Sequence, residues 1–198
     1  MLMLMTRRSV IAGAIATLAT QGQAAARRYT LVADSSTVAF NFTANGITQT
    51  GTVPVETADI RVDSSNLAAS SAAVTADVRN ARTGLIFVTQ ALKSEEVLHA
   101  EQHPIVSFTS TDIRLGARGR ISGGATIQGL LTLRGISREI TLKAVLSRPA
   151  GTPPDDLSVL FVRLSGVLSR SDFGVSGYPS LVADEVRLDI RTEIRAAR

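Results

Sequence analysis

From Tyr29 onward apolar and polar residues alternate with a period of two, the mark of strands that bury one face. Val38, Phe40, Phe42 and Ala44 fall on one side of the first run, with Thr37, Asn41 and Thr43 on the other. Val53 and Val55, then Ile60 and Val62, predict a second pass broken near Thr57-Ala58. Val74, Ala76 and Val78 alternate with Thr75, Asp77 and Arg79, and Val106, Phe108 and Ser110 follow a proline that opens a strand. Ile127, Gly129, Leu131 and Leu133 run to a turn at Arg134-Gly135-Ile136-Ser137, and Ile140, Leu142, Ala144 and Leu146 return. Two runs of this kind about a Gly-containing turn predict a hairpin. Val159 to Leu168, and Val186, Leu188, Ile190 and Ile194, supply two more long strands.

One stretch changes period. Leu85, Val88, Leu92, Val97 and Leu98 recur every three to four residues, which predicts an amphipathic helical segment over about 84–102. A break falls near Lys93-Ser94, where Ser94-Glu95-Glu96-Val97 reads as a helix start. His103-Pro104 ends the segment, because the residue before proline is pushed out of helical geometry. Gly151-Thr152-Pro153-Pro154-Asp155-Asp156 is a solvent loop between strands of one type, so 27–198 reads as one domain. The fold class is therefore mainly β: about eight antiparallel strands and one helical segment, as a closed barrel or a sandwich. A barrel of that size either encloses one small ligand or fills with side chains. The alternation is the same in both cases.

The residues before Tyr29 follow a different logic. Arg7-Arg8, an Ala-rich apolar run from Val10 to Ala19, and Ala24-Ala25-Ala26 have the three parts of a cleavable export signal over residues 1–26. The apolar run is far shorter than the ~20 residues of a spanning helix. Thr6-Arg7-Arg8-Ser9-Val10-Ile11 resembles a twin-arginine signal, with Val10 where Phe is usual. A periplasmic location follows as the expectation.

Composition narrows the chemistry. The 198 residues include no Cys and no Trp, which excludes disulfides, thiolate metal sites, a cysteine nucleophile and a tryptophan sugar platform. The net charge is +4; losing Arg7 and Arg8 with the leader leaves 19 basic against 17 acidic residues, or +2. Basic residues are spread along strands without aromatic interleaving, so no nucleic-acid groove is expected. His99-x-x-x-His103 with Glu96 has helical spacing for two metal ligands, but no further ligand stands nearby and no metal or other cofactor is expected. Ser171, between Arg170 and Asp172, lacks a Gly-x-Ser-x-Gly context and a recognisable His partner, so no catalytic residues are assigned. Arg170 and Asp172, two apart, are expected to share a strand face as an ion pair at a barrel mouth.

Several segments together resemble a known family. They are Tyr29-Thr-Leu-Val-Ala-Asp34-Ser-Ser-Thr-Val38-Ala-Phe40, Leu92 to Ser110 with its helix, proline and Phe108-Thr-Ser110, and the hairpin Gly129 to Leu142. Ser169-Arg170-Ser171-Asp172-Phe173-Gly174-Val175 and Asp184-Glu185-Val186 complete the set. The chain from Tyr29 onward resembles the YceI-like, polyisoprenoid-binding proteins of bacterial periplasms. It departs at Thr89-Gln90-Ala91-Leu92, where many members carry a charged pair and a His, and at His103, where an aromatic is common. The resemblance implies a lipocalin-like antiparallel barrel around a long polyisoprenoid or quinone-like lipid. Phe40, Phe42, Phe108, Leu131, Leu133, Leu142 and Phe173 are the pocket candidates, with Arg170 and Asp172 at the headgroup. A secreted hydrolase or isomerase at Arg170–Asp172, and a ligand-free barrel that binds a partner, stay open as rivals. Transient membrane contact and a homodimer stay open as well.

Overall fold

A computed structural model describes residues 26–63, 66–116 and 123–197. The expected leader lies outside them apart from Ala26. The strands are β1 (Arg27–Ala44), β2 (Ile47–Val53), β3 (Val55–Val62), β4 (Ser71–Asp77) and β5 (Arg82–Thr83). After helix α1 (Ile86–Lys93) come β6 (Ile105–Leu115), β7 (Ala125–Leu133), β8 (Ile136–Ser147), β9 (Val159–Ser169) and β10 (Val182–Ala196). Antiparallel neighbours run β10-β9-β8-β7-β6-β4-β3-β1, and β1 pairs with β10 to close the ring. The mainly β expectation is met as a closed barrel of eight strands.

The count of eight depends on one proline. β3 pairs with the start of β1 (Tyr29 opposite Ile60) and β2 with its end (Phe40 opposite Gly51). β2 and β3 are thus two halves of one barrel strand, interrupted at Pro54, which has no N–H to give the ladder. The break falls there, ahead of the expected Thr57-Ala58; a bulge between Val55 and Thr57 is the local sign of it. A second bulge, between Val32 and Thr37, shifts β1 by one side-chain phase. Leu31 on one side of it and Val38 on the other both face the interior.

Two hairpins have two-residue turns. Arg134 and Gly135 (φ 53° and 73°) join β7 to β8, a tighter turn than the four residues expected. Asn45 and Gly46 (φ 50° and 76°) do the same between β1 and β2. Positive φ at both positions is the type I′ pattern, whose twist matches the strands.

The helix is shorter than its periodicity suggests. α1 stops at Lys93, because Ser94 turns extended and both its N–H and its hydroxyl donate to the Ala91 carbonyl. Residues 94–103 continue as turns, with His99 at φ 48°.

Each barrel end is closed differently. At the end where β1 starts, Tyr29, Val62, Leu160 and Ile194 pack as a core plug, and the Tyr29 hydroxyl donates to the Leu157 carbonyl at 2.6 Å. Burial raises the Tyr29 pKa, which keeps it a donor. At the other end α1 and residues 94–98 pack Leu92, Val97 and Leu98 against Val53, Ala76 and Val106. Leu131, Phe173 and Val175 form a third cluster beside them.

Candidate functional site

Between the plug and the helix lies a cavity of about 420 Å³ whose wall is almost entirely apolar. That size is within the roughly 300–1,000 Å³ of small-molecule sites. The wall takes inward residues from around the ring: Val38, Phe40 and Phe42 from β1, Val74 from β4, Ile127, Leu131 and Leu133 from β7, Leu164 from β9, Leu188 and Ile190 from β10. Helix α1 adds Val88, Ala91 and Leu92.

A cavity persists among large side chains because glycines face several of them. The Phe40 ring, stacked with Phe42 at 6.2 Å between centroids, lies flat on Gly51, its cross-strand partner. A Cβ at Gly51 would overlap the ring, and its three nearest atoms are all in that ring. Phe108 lies likewise over Gly129, and Leu142 over Gly166. These side chains fold along the wall, which leaves the lumen free.

Seven of the nine expected ligand-binding residues line this cavity: Phe40, Phe42, Phe108, Leu131, Leu133, Leu142 and Arg170. Asp172 and Phe173 do not. Strand β9 ends at Ser169, and Arg170–Phe173 form a 3-10 turn closed by Gly174 at φ 66°. That turn exposes Asp172 and packs Phe173, 1% exposed, into the cluster with Leu131 and Val175.

The expected Arg170–Asp172 ion pair is therefore replaced by another arrangement. Arg170 is buried, and its guanidinium donates to the carbonyls of Gly177 (2.7 Å), Val175 (3.0 Å), Val182 (3.1 Å) and Ala183 (3.2 Å). A buried charge is tolerable when its donors are met in this way. Arg170 thus staples the loop of residues 174–181 to the start of β10 over the barrel end. The backbone N–H of Ser171 donates to Asp184 Oδ1 at 2.9 Å, which lowers the Asp184 pKa. Tyr178, on the stapled loop, is both on the cavity wall and 40% exposed, so the loop stands between the cavity and solvent.

His99 and His103 stand edge to face with ring centroids 5.8 Å apart. Among the described residues no three His, Asp or Glu side chains cluster as metal ligands. Nor is any helix among them long and apolar enough to cross a membrane.

The model of the YceI-like domain matches residues 29–194. The chain belongs to the YceI-like family. In line with this, the UPF0312 protein YE1254 of Yersinia enterocolitica is 27% identical over 131 residues, 66% of this chain and 65% of that protein. Three solved structures share the fold. BcnA of Burkholderia cenocepacia is 20% identical at a TM-score of 0.72, over 83% of this chain and 99% of that one. A polyisoprenoid binding domain from Saccharophagus degradans, implicated in plant cell wall breakdown, is 14% identical at 0.61, over 86% and 99%. The Campylobacter jejuni YCEI protein is 18% identical at 0.59, over 98% and 100%. The YceI-like domain therefore accounts for the barrel, and the cavity wall belongs to it.

Three features of the site went unread in the sequence. The glycine partners of Phe40, Phe108 and Leu142 needed the register between strands. The Arg170 staple needed the 3-10 turn. Asn45-Gly46 had a direct signal, the strongest hairpin dipeptide, and could have been found.

Proposed function

We propose that this YceI-like protein binds a long polyisoprenoid or isoprenoid-quinone-type lipid in its barrel, as a carrier or store in the periplasm, and performs no chemistry on it. The observation that supports this most is the apolar cavity of about 420 Å³, whose wall-lining buried cation, Arg170, has its donors engaged by four backbone carbonyls. Such a wall selects by burial alone. Each methylene taken from water yields ~0.8 kcal/mol, so ten carbons give about 8 kcal/mol before the cost of immobilisation, itself ~4–15 kcal/mol. Short prenyl groups then bind weakly, and a long chain binds tightly. The polyisoprenoid named for the Saccharophagus degradans domain is consistent with that class. The leader-like segment with Arg7-Arg8 supports export. Arg170 and Asp172 support no hydrolase or isomerase, since one is consumed in the loop staple and the other lies off the wall.

The reading is tested by titrating delipidated protein with fluorescent prenyl analogues of about 10, 20 and 40 carbons. Affinity should rise steeply with length until the cavity is full. Equal, weak binding at all lengths would count for a barrel that needs no such ligand.

A further inference from the structure

Six of the eleven large hydrophobic side chains exposed among the described residues gather at one barrel end: Ile47, Leu85, Ile86, Phe87, Tyr178 and Leu181. Three segments bring them there. The pairs Gly51–Thr83 and Thr52–Arg82 hold β5, and so the start of α1, against β2. The N–H of Asn45 donates to the Leu181 carbonyl at 2.8 Å, which sets the stapled loop beside the β1–β2 turn. Val88 of α1 and Tyr178 of the loop both line the cavity, so these apolar residues lie on the outside of the elements that cap it.

We infer that this collar docks the protein on a phospholipid bilayer, an inference that rests on the cavity taking a membrane lipid. Helix α1 has two faces of different use. Val88, Ala91 and Leu92 face the cavity, while Ile86 and Phe87, 78% and 63% exposed, lie off its wall on the solvent side of the same helix. Bare apolar side chains of that size mark a protein or membrane contact. Continuity with the cavity favours the membrane, because a lipid leaving the bilayer would pass from one apolar surface to the next without crossing water. The charges agree. Residues 42–53 and 173–183 carry none, and residues 82–93 carry only Arg82 and Lys93, for a net +2. Basic side chains beside an apolar wedge suit an anionic headgroup layer. Glu95 and Glu96 begin the next segment, where Arg134 donates to the Glu95 carbonyl and Gly177 to that of Glu96.

The test is co-sedimentation of the full, delipidated protein with vesicles that contain no prenyl lipid. One set is phosphatidylglycerol with phosphatidylethanolamine, the other phosphatidylcholine alone. Wild type should bind the anionic set, and Ile86→Glu with Phe87→Glu should cut partitioning at least ~10-fold. Arg82→Gln with Lys93→Gln should cost about 5-fold per charge on anionic vesicles and leave phosphatidylcholine unaffected. Val145→Glu, on the outer wall of β8 away from the collar, should change nothing. No wild-type binding to anionic vesicles, or equal losses for the Val145 and Ile86/Phe87 variants, would overturn the docking surface. So would a dimer that the Ile86/Phe87 variant abolishes in the absence of vesicle binding. A parallel titration with the prenyl analogue separates this proposal from the cavity reading. Ile86 and Phe87 lie off the wall, so their variant should keep wild-type analogue affinity. Leu133→Trp should lose the analogue and keep the vesicles.

Discussion

Gly51→Ala is the smallest change that should close the cavity from within. The added Cβ overlaps Cζ, Cε1 and Cε2, the tip of the Phe40 ring, and the ring can yield because Phe40 lines the cavity. The ring then swings off the wall into a cavity of about 420 Å³. Six ring carbons displace roughly three to four methylenes of ligand, at ~0.8 kcal/mol each. The sum is about 3 kcal/mol, or on the order of 100-fold in Kd. Stability should barely move, since the ring stays among apolar side chains and Gly→Ala restricts the unfolded chain, worth ~0.4–1 kcal/mol. Thermal melting and titration with a fluorescent prenyl analogue, on delipidated wild type and mutant, read both quantities. Wild-type affinity at an unchanged Tm would refute the reasoning, because the ring would then have moved without entering ligand space. A large loss of Tm with unchanged affinity in the folded fraction would mean that the wall is close-packed.

Other outcomes follow from the same geometry. Leu133→Trp puts a larger ring into the lumen, so affinity should fall at least ~10-fold with a small change in Tm; an overpacked core would instead lose ~1–3 kcal/mol with affinity intact. Arg170→Met leaves the carbonyls of Val175, Gly177, Val182 and Ala183 without their donor, which should cost about 3 kcal/mol and lower Tm by roughly 6–12 °C. Acid should destabilise the barrel. The Arg79 hydrogen bond lowers the Asp77 pKa, the Ser171 N–H that of Asp184, and the Arg195 hydrogen bond that of Glu193. Each is depressed in the folded state, so its contribution is complete above the ordinary carboxylate range near ~4 and is lost as pH falls below it. A Tm titration should show the fall there, and Asp77→Asn should flatten part of it. A Tm that stays level from pH 6 to pH 2 would contradict those assignments.

The barrel was legible because period-two alternation is a backbone property that tertiary contacts reinforce. Val38-Phe40-Phe42 and Ile127-Leu131-Leu133 face inward as their spacing demands. Six of the nine candidate residues, Phe40, Phe42, Phe108, Leu131, Leu133 and Leu142, followed from that face alone, and Arg170 reaches the wall from a turn. The two that lie off the wall, Asp172 and Phe173, do so for one reason. A spacing of two means a shared face only on a strand, and β9 ends one residue before Arg170. The helix was overextended because Val97 and Leu98 keep a helical spacing from Leu92 while packing inward from turns. Whether the lumen was empty or filled could not be read from alternation. It is decided by which residue lies across from each large side chain, as Gly51 lies across from Phe40.

The central claim, that the cavity holds a long isoprenoid lipid, is tested most directly by native mass spectrometry of the protein purified from its native host. The same sample is extracted for lipid. The account predicts one adduct per chain, with the mass of a prenyl lipid, released on denaturation and recovered in the extract. Protein that arrives at its bare mass, or with only scattered phospholipid adducts, would contradict it.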